Sequence, residues 1–435
     1  MDLILRNARI AGHKERSTLF DIGIDKGKIA AIAPGLAARG RAIDVGGRLV
    51  TPPFVETHIH LDKSCILARC KSQKGTLEEA IGEVANQKKG FTPEDVYRRA
   101  KRTLDKAISN GTMYMRTHVE VDPGIGLRGL EGVFAAIGEY QWAIDVHVCV
   151  FPQEGLTNNP GTEELMIESM NRGARAVGAA PYTDTDPHGQ IDRVFRIARE
   201  YDADIDMHLD FGNSADYLDI DYVCKLTEKF GYGGRVAVGH VTKFTFLPPD
   251  RLAALTRQLA SAGVAVTVLP STDLYLMGRD RAHNHTRGVV RIHEMLHQDV
   301  NCNLSSNNVL NPFTPFGDCS LIRMANLYAN IAHAGMRDFG DCLDMVTWRP
   351  AKLLNRRDYG IEVGKPADLV VLDCATPEDA VSELAVPLWG FKRGRMTFSR
   401  RQVELYPPKP VRAAPRARRA ASAKKAKRPA RRARR

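Results

Sequence analysis

Thr51-Pro-Pro-Phe-Val-Glu-Thr-His-Ile-His-Leu-Asp-Lys63 decides how this chain is read. A proline pair interrupts whatever precedes it, and an apolar run then carries His58 and His60 two positions apart. On an extended strand, side chains i and i+2 leave on the same side, about 7 Å apart. Two neutral imidazoles so placed can grip one metal ion. The same pair can also sit on a half-buried strand without a ligand, so its meaning depends on what surrounds it.

Downstream, apolar strands alternate with longer helical patterns. Strand candidates lie at 54–60, 113–121, 145–153, 174–181, 204–210, 236–241, 264–270 and 300–307. Helical periodicity falls between them at 76–86, 93–110, 130–139, 163–172, 191–201, 217–230, 249–262 and 286–297, and again at 318–334 and 341–354. Eight alternations predict an α/β fold, a (β/α)8 TIM-like barrel over residues 51–359. An open doubly wound sheet would instead place a glycine-rich phosphate loop after its first strand, where His58-Ile-His60 stands.

Upstream, residues 1–50 read as short strands, with a hairpin turn at Asp25-Lys-Gly-Lys28. Residues 360–404 hold another strand and a hairpin centred on 392–394. Neither end buries a core alone, so the two together predict a small β-sandwich. The net charge of +11 is concentrated in a tail: residues 407–435 hold 13 of the 62 Lys and Arg and no acid. The remaining 49 basic residues meet 51 acidic ones, so the body is nearly neutral. Residues 405–435 are expected to be a disordered basic tail, a candidate contact for nucleic acid or another polyanion or else a solvated appendage. No apolar run is long enough to span a membrane. Eight scattered cysteines without an export signal fit a cytoplasmic protein.

In such a barrel the C-terminal ends of the strands converge on one site. Here they carry His58 and His60, His118, Gln153, His208 with Asp210, His240, and Asn307. A metal on His58, His60 and His208 would leave a position for water and lower that water's pKa, with His240 alongside. His118 is open between a site residue and a core histidine. His147 reads as structural. His283, His285, His293 and His297 read as surface residues, although the first two follow strand seven and could reach the mouth.

The chain to about Arg401 resembles the amidohydrolase superfamily, specifically the bacterial cytosine deaminase group. The resemblance rests on Pro53-Phe-Val-Glu-Thr-His-Ile-His-Leu-Asp62, Arg116-Thr-His-Val119, Phe151-Pro-Gln-Glu-Gly155, His208, Gly239-His-Val-Thr242, Asp358-Tyr-Gly-Ile361 and Gly364-Lys-Pro-Ala-Asp-Leu-Val-Val-Leu372. It implies one divalent ion, Fe or Zn, on His58, His60 and His208. It implies a heterocyclic substrate held by Gln153, and assistance at the metal-bound water from His240. Asn308 and Phe313 complete the expected substrate contacts, and a homo-oligomer is expected.

Two positions depart from the family pattern. Phe211 stands where a glutamate shuttles a proton to the ring, and Asn307 where an aspartate binds metal and accepts the water's proton. An amide oxygen can still touch a metal, but it cannot take a proton as a carboxylate does. Asp210 is the nearest replacement carboxylate. The reading is a deaminase-like hydrolase of a ring C–N bond. The alternatives are a same-fold hydrolase of a substituted amine or amide on an s-triazine-like ring, and a catalytically impaired binding protein.

Overall fold

A computed structural model describes residues 1–37, 39–401 and 403–407. The basic tail expected from 405 onward therefore lies almost wholly outside the described residues.

Eight parallel strands form one sheet in sequence order: Phe54–Ile59, Thr112–Glu120, Asp145–Phe151, Ala176–Val177, Asp204–Leu209, Val236–His240, Val264–Val268 and Cys302–Leu304. Most of their residues are buried, as befits strands enclosed by one another and by helices. The end of the first strand meets the segment just past the last in an isolated parallel bridge, Ile59 to Asn307. There the Asn307 N–H donates to His58 O and the His60 N–H to Asn307 O, both at 2.9 Å. The seam of the barrel thus runs through the residues singled out above.

The termini build a second sheet in the order Arg395–Ser399, Pro387–Lys392, Leu369–Leu372, Leu49–Thr51, Leu3–Ile10, Phe20–Asp25 and Lys28–Ala33, with Arg41–Asp44 also paired to Leu3–Ile10. Leu369–Leu372 runs antiparallel to Leu49–Thr51, joining the two ends of the chain. Both expected hairpins form. Lys26 and Gly27 (φ 48° and 78°), and Arg393 and Gly394 (φ 49° and 72°), supply the paired positive φ that a two-residue turn needs to match strand twist. Leu5, Ile22, Val371 and Phe391 belong to an apolar cluster distinct from that of the barrel.

Four local expectations are corrected. Strand four pairs only over Ala176–Val177: at Gly178 a Cβ would sit 2.7 Å from Asp206 O, and Pro181 opens a short 3-10 helix. The helix expected at 286–297 shrinks to Ile292–Leu296, because Gly288 at φ 66° interrupts it and Val289 and Val290 tuck into the core. His293 is buried, with Nδ1 2.7 Å from the Tyr328 hydroxyl, and is no surface residue. Strand seven ends at Val268 and is followed by an unexpected helix, Pro270–Leu276, with proline in its first turn.

Candidate active site

Side chains from five strand ends meet at one mouth. His208 Nε2 lies 3.0 Å from His58 Nε2 and 3.1 Å from His60 Nε2. Two nitrogens on one zinc at about 2.0–2.1 Å in a tetrahedral shell lie roughly 3.3 Å apart, so this spacing fits a shared ion. His58, His208 and His240 also offer nitrogens within 4.8 Å of one another. Burial holds His58 down to about 3 and keeps His60 and His208 far below the usual imidazole range, so all three present neutral rings. Asn307 Oδ1 is buried without a partner, a free oxygen donor in the same place. The residues present therefore fit a divalent ion.

The backbone is shaped for this convergence. Asn307 (φ 58°), His240 (φ 71°), Val241 (φ 46°) and Asp210 (φ 48°) all adopt left-handed geometry. Such positions cost about 1–3 kcal/mol each and persist where surrounding structure imposes them. Gly239 leaves room for the His58 ring: a Cβ there would lie 3.0 Å from it and press on it.

Behind the imidazoles, His118 stacks on His58 with centroids 3.8 Å apart, and its Nε2 lies 3.3 Å from Asp206 O. It packs beneath the cavity and does not line it. Asp206 Oδ1 lies 3.4 Å from His58 Nδ1, and Arg116 donates to Oδ2 at 3.2 Å. The buried Glu56 carboxylate accepts from the N–H of Ser306 at 3.1 Å and that of His58 at 3.3 Å, and burial pushes it up to about 7.

The cavity above has free volume of about 10 Å³, room for one water. Its wall includes His60, His208, His240, Asn307, Gln153, Phe211, Asn308 and Phe313, all expected at the site. His58 lies deeper. Asp210 is corrected: it does not line the cavity, and its carboxylate accepts from the N–H groups of Asp219 (2.9 Å) and Ile220 (3.1 Å), at the start of helix Ile220–Phe230. Burial pushes it up to about 7. His283 and His285 are exposed and do not reach the mouth. Leu77, Tyr182, Phe211 and Leu276 line both this cavity and an outer vestibule of about 540 Å³, forming a collar between them.

Five wall residues were not anticipated: Lys63, Leu77, Tyr182, Thr272 and Leu276. Lys63 closes the opening stretch of sequence, and its ammonium is almost fully buried 3.3 Å from Gln153 Oε1, between the rings of Phe151 and Phe313. Tyr182 follows the short fourth strand. Lys63 also pairs with Glu120, one of three clustered carboxylates, Glu120, Asp122 and Glu154. The cation of that cluster is Lys88, which donates to Asp122 at 2.5 Å and to Glu154 and pairs with Glu120 at 3.4 Å. Burial opposes its charge, but Glu120 and Asp122 hold it protonated. Lys88→Met should destabilise the fold by about 3–5 kcal/mol, because it leaves the buried Asp122 without its counter-charge and Glu120 with Lys63 alone. Urea unfolding measures this, and a loss under about 1 kcal/mol would contradict it.

Relatives of known activity share this architecture. A profile of the amidohydrolase family matches residues 41–133 and 130–387. N-isopropylammelide isopropyl amidohydrolase of Pseudomonas sp. (strain ADP) is 32% identical over 91% of this chain and 96% of that protein. Pterin deaminase of Rhizobium rhizogenes (strain K84 / ATCC BAA-868) is 27% identical over 81% of each. The crystal structure of 5-methylcytosine deaminase from Klebsiella pneumoniae, liganded with phosphonocytosine, superposes with a TM-score of 0.88 at 29% identity, covering 93% of this chain and all of that one. No helix among the described residues is long and apolar enough to cross a membrane. The family match spans most of the barrel and runs into the terminal sheet, and the chain belongs to the amidohydrolase family.

Proposed function

We propose that this chain is a metal-dependent hydrolase that cleaves an exocyclic C–N bond of an amino-substituted, oxo-bearing heterocycle. The observation that carries this reading is the meeting of three neutral imidazoles at the mouth of the barrel. His58, His60 and His208, with Asn307 Oδ1, would hold one Fe or Zn ion. Such an ion, when bound, lowers the pKa of water from 15.7 to around 7–9.

The protein's own groups supply the rest. Gln153 Nε2 is a buried donor without a hydrogen-bond partner on the cavity wall, and Lys63 presents an ammonium beside it. Both suit ring oxygens that gain negative charge during attack. Asn308 and Phe313, also on the cavity wall, would complete the contacts to the ring, and His240 takes and returns the proton. The collar of Leu77, Tyr182, Phe211 and Leu276 must part to admit a ring, and once closed it excludes water.

Phe211 favours a particular leaving group. Its ring stands edge-on to His240 at 5.3 Å, where an apolar substituent on the departing nitrogen would pack. A primary alkylamine, released from an N-alkylamino ring, is therefore the preferred leaving group, as the name of the Pseudomonas relative also suggests. The test is metal analysis, followed by a screen of amino-oxo-pyrimidines and amino-oxo-triazines for ammonia or alkylamine release. About one ion per chain and release from at least one ring are expected. A metal-replete protein silent on all of them would overturn the proposal.

A further inference from the structure

Asn307 cannot take a proton, and Asp210 is occupied elsewhere, yet a buried carboxylate does reach His240. Asp273 is fully buried on helix Pro270–Leu276, just past strand seven. Its Oδ2 accepts from the Leu269 N–H at 3.0 Å, and its Oδ1 lies 2.6 Å from His240 Nδ1. Burial raises the Asp273 carboxyl, while His240 and the Leu269 N–H oppose that rise. As an ionised carboxylate it has acceptors only, and the proton of this contact then sits on Nδ1. His240 Nε2 is then left with its lone pair. Asn307 Nδ2 lies 3.4 Å from it and is a donor, which agrees with that tautomer. The same orientation leaves Asn307 Oδ1 free and unpartnered.

We infer that Asp273 is a positioning residue that fixes His240 with Nδ1 protonated and Nε2 open to the cavity, supplying the proton acceptor that Asn307 cannot be. This rests on the hydrolase reading above. The carboxylate absent from the end of strand eight is thus replaced indirectly, through a histidine held from strand seven. The step balances. One proton of a water molecule passes to Nε2 as its oxygen bonds to the ring carbon. The C–N bond then breaks with its electron pair going to nitrogen, and nitrogen receives that proton from Nε2. Water and the ring amine become the hydroxylated ring, which tautomerises to the oxo form, and a free amine.

Asp273→Asn tests the inference because the site dictates how the amide must sit. The Leu269 N–H still needs an acceptor, so the amide oxygen stays there and the NH2 turns toward Nδ1. The proton of His240 must then move to Nε2, where it can only donate. In the zinc-loaded protein with 15N-labelled histidine, the His240 signal, assigned by its loss in His240→Gln, should change from Nδ1–H to Nε2–H. The kcat should fall by about 10²- to 10⁴-fold, while KM moves by less than about threefold. Zinc content should be unchanged. An Nε2–H tautomer in the native protein, a native kcat in Asp273→Asn, or a loss of zinc parallel to the loss of rate would each overturn the assignment. A native protein inactive on every ring defeats the hydrolase reading instead, and the tautomer measurement still decides the role of Asp273.

Discussion

Replacing His58 and His60 together by alanine is expected to yield a folded barrel that retains no divalent ion and has lost hydrolysis by at least on the order of 10³-fold. Both rings are wholly buried, and both turn Nε2 toward His208. Without them His208 keeps only the amide of Asn307 and the more distant His240 as neighbours, too weak a set to hold an ion. The fold should survive, because these rings contribute mainly packing, chiefly His58 against His118, with His60 Nδ1 unpartnered and His58 Nδ1 only 3.4 Å from Asp206, whose other oxygen keeps Arg116. Thermal unfolding separates the two effects. A ligand that binds only the folded state stabilises it by about 2.7 kcal/mol at 100 times its Kd, so the native Tm should rise with added zinc. The variant's Tm should not. Full metal occupancy in the double variant would remove the assignment.

Much of this was legible because a parallel barrel turns sequence order into spatial order. Once eight buried strands were counted, the residues at their ends had to share one mouth, whatever their separation along the chain. That logic found His58, His60, His208, His240, Gln153 and Asn307. It could not find Asp273, because Pro270 opens a helix just where the apolar run of strand seven stops, and an aspartate in a first helical turn looks like ordinary capping. Lys63 lay in plain view at the end of the opening stretch. A lysine buried beside Gln153 is legible only when Glu120 and two aromatic rings are known to surround it. Asp210 misled for the opposite reason. It sits two residues from His208, but its left-handed backbone turns the carboxylate to the amides of Asp219 and Ile220.

Phe211→Glu is expected to reverse the choice of leaving group. Phe211 is 9% exposed and belongs to an apolar collar with Leu77, Tyr182 and Leu276, next to the His240 ring. An alkyl group on the departing nitrogen gains about 1–3 kcal/mol, or 10- to 200-fold, from each such hydrophobic fit. A glutamate removes that fit. Its carboxyl, enclosed by the same collar, would be held protonated by burial and could donate to a ring nitrogen or to a leaving NH2. The kcat/KM for an N-alkylated ring should therefore fall while that for the unsubstituted amino ring rises, changing their ratio by about 10²- to 10⁴-fold. Phe211→Leu keeps the site apolar and should preserve the native order of substrates. Parallel assays of alkylamine and ammonia release from matched rings give both numbers. Equal losses on both rings in Phe211→Glu would show that the collar only gates entry, and that the leaving group is chosen by other residues.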